Sequence, residues 1–234
     1  MPNEKFKNTT NLGTYGEFIS QIDHSVEQIV KKITDMGIEE NTIIIFSSDN
    51  GASWKEEDIL QYAHQSSGDR KGMKGDAWDG GHHVPLIIKW PKKIKQKSVY
   101  NHDVSLVDFY ATFAELTKQE VKKGTAVDSY SFFKVLIGKQ TKASRDQIVY
   151  ISSSGRLAIK KGDWKFIEGL GSAGFSEPTK LEPMKNGPTD QLYNMKKDAS
   201  ETNNISLEHP EKTEELKLLL EKVVQNQYRD KQSI

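Results

Sequence analysis

The stretch Asn41-Thr42-Ile43-Ile44-Ile45-Phe46-Ser47-Ser48-Asp49-Asn50-Gly51 decides how this chain reads. Ile43 to Phe46 is a short apolar run rich in β-branched residues, and a helical pattern precedes it. That order predicts a buried strand of an α/β sheet. Ligands of such sheets gather just beyond the carboxyl ends of strands, where Asp49 and Asn50 fall. A carboxylate beside an amide carbonyl suits a hard divalent ion such as calcium or magnesium, and Gly51 lets the backbone turn away. Asp-Asn-Gly is equally an ordinary turn sequence, so the assignment needs a second feature.

That feature is the run from Arg70 to Pro91, which holds Gly72-Met73-Lys74-Gly75, then Trp78-Asp79-Gly80-Gly81-His82-His83, then Val84 to Trp90. Glycines around one lysine describe a backbone that passes close to something, and the ammonium is a point charge suited to a sulfate or phosphate oxygen. A solvated basic loop is the plainer alternative. Val84 to Trp90 predicts a second buried strand, closed by Pro91. His82 and His83, in an extended segment, would point to opposite faces and make poor partners for one ion.

Together the two clusters closely resemble the sulfatase family, the formylglycine-dependent arylsulfatase type of the alkaline-phosphatase-like superfamily. The resemblance implies that Asp49 and Asn50 bind calcium and that Lys74 contacts the sulfate group. Asp79 stands where the family has glutamate and His83 where it has arginine, which puts any ion pair made by that arginine in question. Gly155 to Phe166 resembles the family's small C-terminal sheet. Gln191 to Met195, with Asp198, Glu201 and Asn204, resembles its terminal signature.

The family's aspartate pair and its Cys-x-Pro-x-Arg or Ser-x-Ala-x-Arg segment, whose first residue becomes formylglycine, have no match here; the chain has no cysteine. The expectation is therefore the C-terminal half of a sulfatase, inactive without an N-terminal half that carries the nucleophile. The implied substrate is a sulfated carbohydrate or an aryl sulfate. Two other readings stay open: a noncatalytic ion- or glycan-binding remnant, and a related phosphoryl-transfer enzyme of the same superfamily. The chain assigns no compartment; the resemblance implies a periplasmic or secreted full-length protein.

The expected fold is α/β, part of an alkaline-phosphatase-like sandwich in which helices flank a mixed sheet, followed by a small antiparallel sheet with a packed helix. Residues 1–140 would belong to the catalytic α/β domain and 141–234 to a C-terminal α+β subdomain. Phe18, Ile22, Val26, Ile29, Val30, Ile33 and Met36 share one helical face ahead of Gly37. Residues 52–68, with His64, read as a loop over the site. Val104 to Leu116 reads as a well-buried helix and Phe132 to Ile137 as a short one. Residues 147–152, 156–161 and 164–167 form a meander, 169–187 a flexible loop near the substrate mouth, and 211–227 an amphipathic helix. The 234 residues carry 33 basic and 33 acidic side chains, so no global field favours nucleic acid. No apolar run approaches the length of a membrane span.

Overall fold

The computed structural model describes residues 1–232. Its best-covered part is a four-stranded antiparallel sheet in the order β3 (Gln147–Ile151), β4 (Leu157–Lys161), β5 (Trp164–Ile167), β6 (Gln191–Asn194). The register places Ala158 opposite Ile167 and Phe166 opposite Leu192. Because side chains alternate across a strand, each strand serves two cores. On one face Ile159, Phe166 and Leu192 pack against Leu216 and Leu220 of α5 (Pro210–Gln232). On the other, Ala158, Ile167 and Tyr193 pack against Ala77 and Trp78. The segment that follows Lys74 is thus a lid on this sheet, although it lies some eighty residues earlier in the chain. The meander and α5 match expectation; β6 was expected only as part of a signature, not as a strand.

The remainder is more open. Helix α1 (Gly13–Asp35) forms as its periodicity predicts, but its apolar stripe is only partly covered: Ile22, Val26, Val30 and Ile33 are half-buried, while Phe18 is 46%, Ile29 57% and Met36 58% exposed. β1 (Ile44–Ser47) pairs antiparallel with β2 (Leu86–Lys89), Ile44 opposite Lys89. Both strands were expected to be buried. Instead every residue of β1 is half-buried, and Ile87 of β2 is 62% exposed. The two-stranded ribbon has neighbours too few to cover both faces.

Three further expectations change. Within 52–68 lies a helix, α2 (Glu56–Tyr62), started by Asp58 accepting from the Lys55 N–H at 3.2 Å and by an acidic first turn that suits the positive end of the helix. Helix α3 (Asp108–Leu116) buries its polar side: Tyr110 and Phe113 face out, while Asp108 and Thr112 face in. Arg145 supplies the reason, donating to both Asp108 carboxylate oxygens at 2.5 and 2.9 Å, and Thr112 accepts from the Phe132 N–H. A bidentate buried pair of this kind specifies packing that apolar periodicity does not register. The short helix is α4 (Phe133–Leu136), with Gly138 just beyond it. Residues 169–187 are also less loose than expected, because Leu170 bridges to Leu181 and the Ser172 and Ala173 N–H groups donate to the carbonyls of Pro178 and Thr179.

Candidate functional site

β1 ends at Ser47, and the chain turns through Asp49, Asn50 and Gly51 onto the backbone of residues 80–81. Gly51 N–H donates to the Gly81 carbonyl at 2.9 Å, and Lys74 N–H donates to the Ala52 carbonyl at 2.9 Å. A Cβ at Gly51 would sit 1.8 Å from the Gly80 oxygen, so only glycine permits this approach. The turn bearing Asp49 and Asn50 is thereby locked to the loop bearing Lys74. All three residues line one open cavity of about 1820 Å³, together with Arg70, His83 and Phe175.

The Asp49 carboxylate is exposed and takes only a long 3.5 Å bond from Ser48 Oγ; among the described residues no cation pairs with it. Asn50 Nδ2 donates to the Gly51 carbonyl at 3.0 Å, which leaves its Oδ1 as the group available to a ligand. Two oxygen donors side by side fit part of the shell of a hard cation. Among the described residues no three His, Cys, Asp or Glu side chains cluster in a metal-binding arrangement, so the remaining ligands would have to come from elsewhere.

The Lys74 loop owes its shape to buried carboxylates. Asp76, fully buried, accepts from the N–H groups of Met73, Phe175 and Ser176 at 2.7 to 3.0 Å and from the Ser176 hydroxyl. It ties the loop to residues 172–176. Glu201, also fully buried, accepts from the Asp79 N–H at 2.5 Å and lies 2.7 Å from Lys165 Nζ. The Lys165 contact is one of charge rather than an aligned hydrogen bond. Burial pushes the Glu201 carboxyl up, against the pull of Lys165. Lys71 closes the frame by donating to the Glu201 carbonyl at 3.2 Å and lying 4.0 Å above the Trp78 ring. The rest of the terminal signature is structural too: Asp198 caps the Thr202 and Asn203 N–H groups, and Asn204 Oδ1 accepts from the Leu192 and Ser206 N–H groups.

The two positions that depart from the family pattern, Asp79 and His83, meet each other here. Arg70 Nε donates to Asp79 Oδ2 at 2.9 Å, and His83 Nδ1 lies 3.2 Å from the same oxygen. Burial alone would push the Asp79 carboxyl up, but the His83 hydrogen bond and the charges of Lys165, His83 and Arg70 hold it down at about 2. Arg70, nine residues upstream, thus shares the Asp79 carboxylate with His83, four residues downstream. The histidines do not lie in a strand as expected. They end a single helical turn, Asp79–Gly81, with both N–H groups donating to the Asp79 carbonyl. Both line the cavity, His83 the more exposed; His82 lies 4.9 Å from the Tyr150 ring, where burial, then the charge of Lys165, push its imidazole down to about 4. His64 is engaged elsewhere: its carbonyl accepts from Trp54 Nε1 at 2.7 Å.

Asp49, Asn50 and Lys74 are therefore brought together as the sequence predicts. Arg70, Asp76 and Phe175 were missed, since their roles depend on partners that no local motif announces.

Comparison with known proteins identifies the family. Residues 2–119 match the family model described as Sulfatase. The chain is 34% identical over 231 residues to the N-acetylgalactosamine-6-O-sulfatase of Bacteroides thetaiotaomicron, which covers 95% of this chain and 44% of that protein. A structure solved in work on glycosaminoglycan metabolism by Bacteroides thetaiotaomicron superimposes with a TM-score of 0.83 at 34% identity, over 95% of this chain and 47% of that one. A second, solved in complex with its substrate D-glucosamine-2-N,6-O-disulfate, gives 0.64 at 25% identity, over 92% and 40%. The chain thus spans less than half the length of these relatives. With a matched family model over half its residues, and the strand-end Asp-Asn pair locked to a glycine-flanked lysine, this chain belongs to the sulfatase family.

Proposed function

We propose that this chain supplies one part of a sulfuric ester hydrolase site acting on a sulfated carbohydrate, with Asp49 and Asn50 as ligands to calcium and Lys74 as the sulfate-binding group. The observation that carries the reading is the double backbone lock, Gly51 to Gly81 and Lys74 to Ala52, which turns two oxygen ligands and one ammonium toward the same cavity. A sulfate monoester spreads negative charge over its oxygens. Lys74 binds one of them, and the Arg70 guanidinium, held by Asp79, adds positive charge at the wall. A divalent cation, when bound, would polarise the ester and neutralise charge growing on the leaving oxygen. Asp49 and Asn50 orient that ion; Asp76 and Glu201 hold the loop that orients Lys74. The nucleophile, formylglycine by family, is assigned to a complementary segment outside these 234 residues. Likeness to the Bacteroides N-acetylgalactosamine-6-O-sulfatase supports a sulfated amino sugar as substrate.

The same reading divides the chain into residues 1–140, belonging to the catalytic α/β domain, and 141–234, a C-terminal α+β subdomain. It is supported by the core that α5 and the four-stranded sheet form together.

The test is complementation. The chain alone, with calcium and a chromogenic aryl sulfate, is expected to give no turnover. Co-expressed with the preceding portion of the Bacteroides relative in a host that forms formylglycine, it is expected to give activity that Lys74→Ala and Asp49→Ala each reduce by about 100-fold or more. Turnover by the chain alone that Lys74→Ala removes would overturn the need for a second segment. Complemented activity indifferent to both substitutions would overturn the site.

A further inference from the structure

Phe175 is an aromatic ring left 56% exposed on the wall of the cavity that Lys74 also lines. It is not a stray side chain on a loose loop. Its own N–H donates to Asp76 Oδ1 at 2.7 Å, and the next residue, Ser176, gives that carboxylate both its N–H and its hydroxyl. A fully buried carboxylate two residues after Lys74 therefore anchors the backbone that carries the ring. The ring lies over Gly75, where a Cβ would come within 2.9 Å of Phe175 Cε2, and Gly75 has φ +87°, so the position is closed to a side chain on both counts. The neighbouring Ser153 N–H donates to the Gly75 carbonyl at 2.8 Å, pinning the loop from its other side. The result is a rigid aromatic face one residue from the lysine that meets the anion. Ligand sites commonly join a few fixed polar groups to an apolar wall in this way.

The geometry points to Phe175 as the specificity-determining contact for the group that carries the sulfate: a pyranose lays its C–H face on the ring while its sulfate meets Lys74. This rests on the assignment of Lys74 as the sulfate-binding residue. Phe175 recognises the sugar, Lys74 the anion, and the two contributions are separable.

Titration of the full 234-residue chain followed by two-dimensional NMR, in calcium, separates them with three probes: N-acetylgalactosamine-6-sulfate, unsulfated N-acetylgalactosamine, and inorganic sulfate. Wild type should bind the sulfated sugar more tightly than inorganic sulfate. Phe175→Ala should weaken the sulfated sugar by about tenfold and leave inorganic sulfate within about twofold, while Phe175→Trp should restore the sugar. Lys74→Ala should weaken both anions. If Phe175→Ala binds the sulfated sugar as wild type does while Lys74→Ala loses it, the ring plays no part and only this inference falls. If Phe175→Ala loses inorganic sulfate equally, the ring acts by supporting the loop, and the inference falls again. If wild type binds neither anion, or Lys74→Ala binds both unchanged, the Lys74 assignment fails and takes this inference with it.

Discussion

The four-stranded sheet and the two-stranded ribbon are built from similar β-branched sequence, yet only the first is covered on both faces. β4 to β6 have α5 on one side and Ala77–Trp78 on the other, so Ile159, Phe166, Ile167 and Leu192 reach full burial. β1 and β2 hold only each other, and Phe18, Ile29 and Met36 of the α1 stripe meet solvent. The candidate site lies at the junction: Asp49 and Asn50 hang from the open ribbon, while Lys74 is held by the closed sheet through Asp76 and Glu201. The Lys74 loop is therefore preorganised by a complete core, whereas the Asp49–Asn50 turn depends on two backbone bonds to that loop.

The contrast breaks most sharply at the buried ion pair. Lys165→Met leaves Glu201 buried without its cation, and a loss of about 3–5 kcal/mol is expected from urea denaturation. If the loss is under about 1 kcal/mol, the closed sheet does not depend on this pair.

Acid probes the same core. His82 has its imidazole lowered to about 4 by burial and by Lys165, with Asp76 and Asp79 opposing. The unfolded chain binds a proton near the ordinary histidine value and the folded chain does not, so this stability is full above pH 6.5 and is lost as pH falls toward 4. The loss is on the order of 3 kcal/mol. Asp79, lowered to about 2, adds a second loss below about pH 4. Denaturation at pH 7 and pH 4.5 should show the first difference, and His82→Phe should shrink it; an unchanged slope in that variant would place the acid sensitivity elsewhere.

Calcium should act weakly and on the open side. Two protein oxygens short of a full shell imply a Kd of about 10⁻³ M, so 10 mM calcium should stabilise by about 1 kcal/mol. Thermal shift with Asp49→Ala as control measures it. Stabilisation of the same size in that variant would move the ion away from Asp49.

The smallest effect belongs to the exposed part of the α1 stripe. Phe18→Ser with Ile29→Ser should change chemical stability by no more than about 0.5 kcal/mol per site, yet lower self-association in sedimentation, because the exposed apolar area shrinks. A large stability loss would mean that α1 is packed after all.

Much was legible before any coordinates: the α1 period, both site strands, the meander, α5, and the pairing of a strand-end Asp49-Asn50 with a glycine-flanked Lys74. These are local signals, set by side-chain alternation, helical period and the backbone freedom of glycine. What local pattern could not convey was burial. It marks which face of a helix is apolar but not how far anything covers it, so α3 turned its Asp108 side inward to meet Arg145, and α1 left Phe18, Ile29 and Met36 of its stripe exposed. Nor could it supply partners distant in sequence. Arg70 takes up Asp79, Glu201 holds the Asp79 N–H from 122 residues away, and Asp76 fixes Phe175 from 99. The sequence determined the chemistry available at this site, because residue type and spacing carry it. Only the tertiary structure decided how that chemistry is aimed, because a buried carboxylate must find its donors wherever the packed chain brings them.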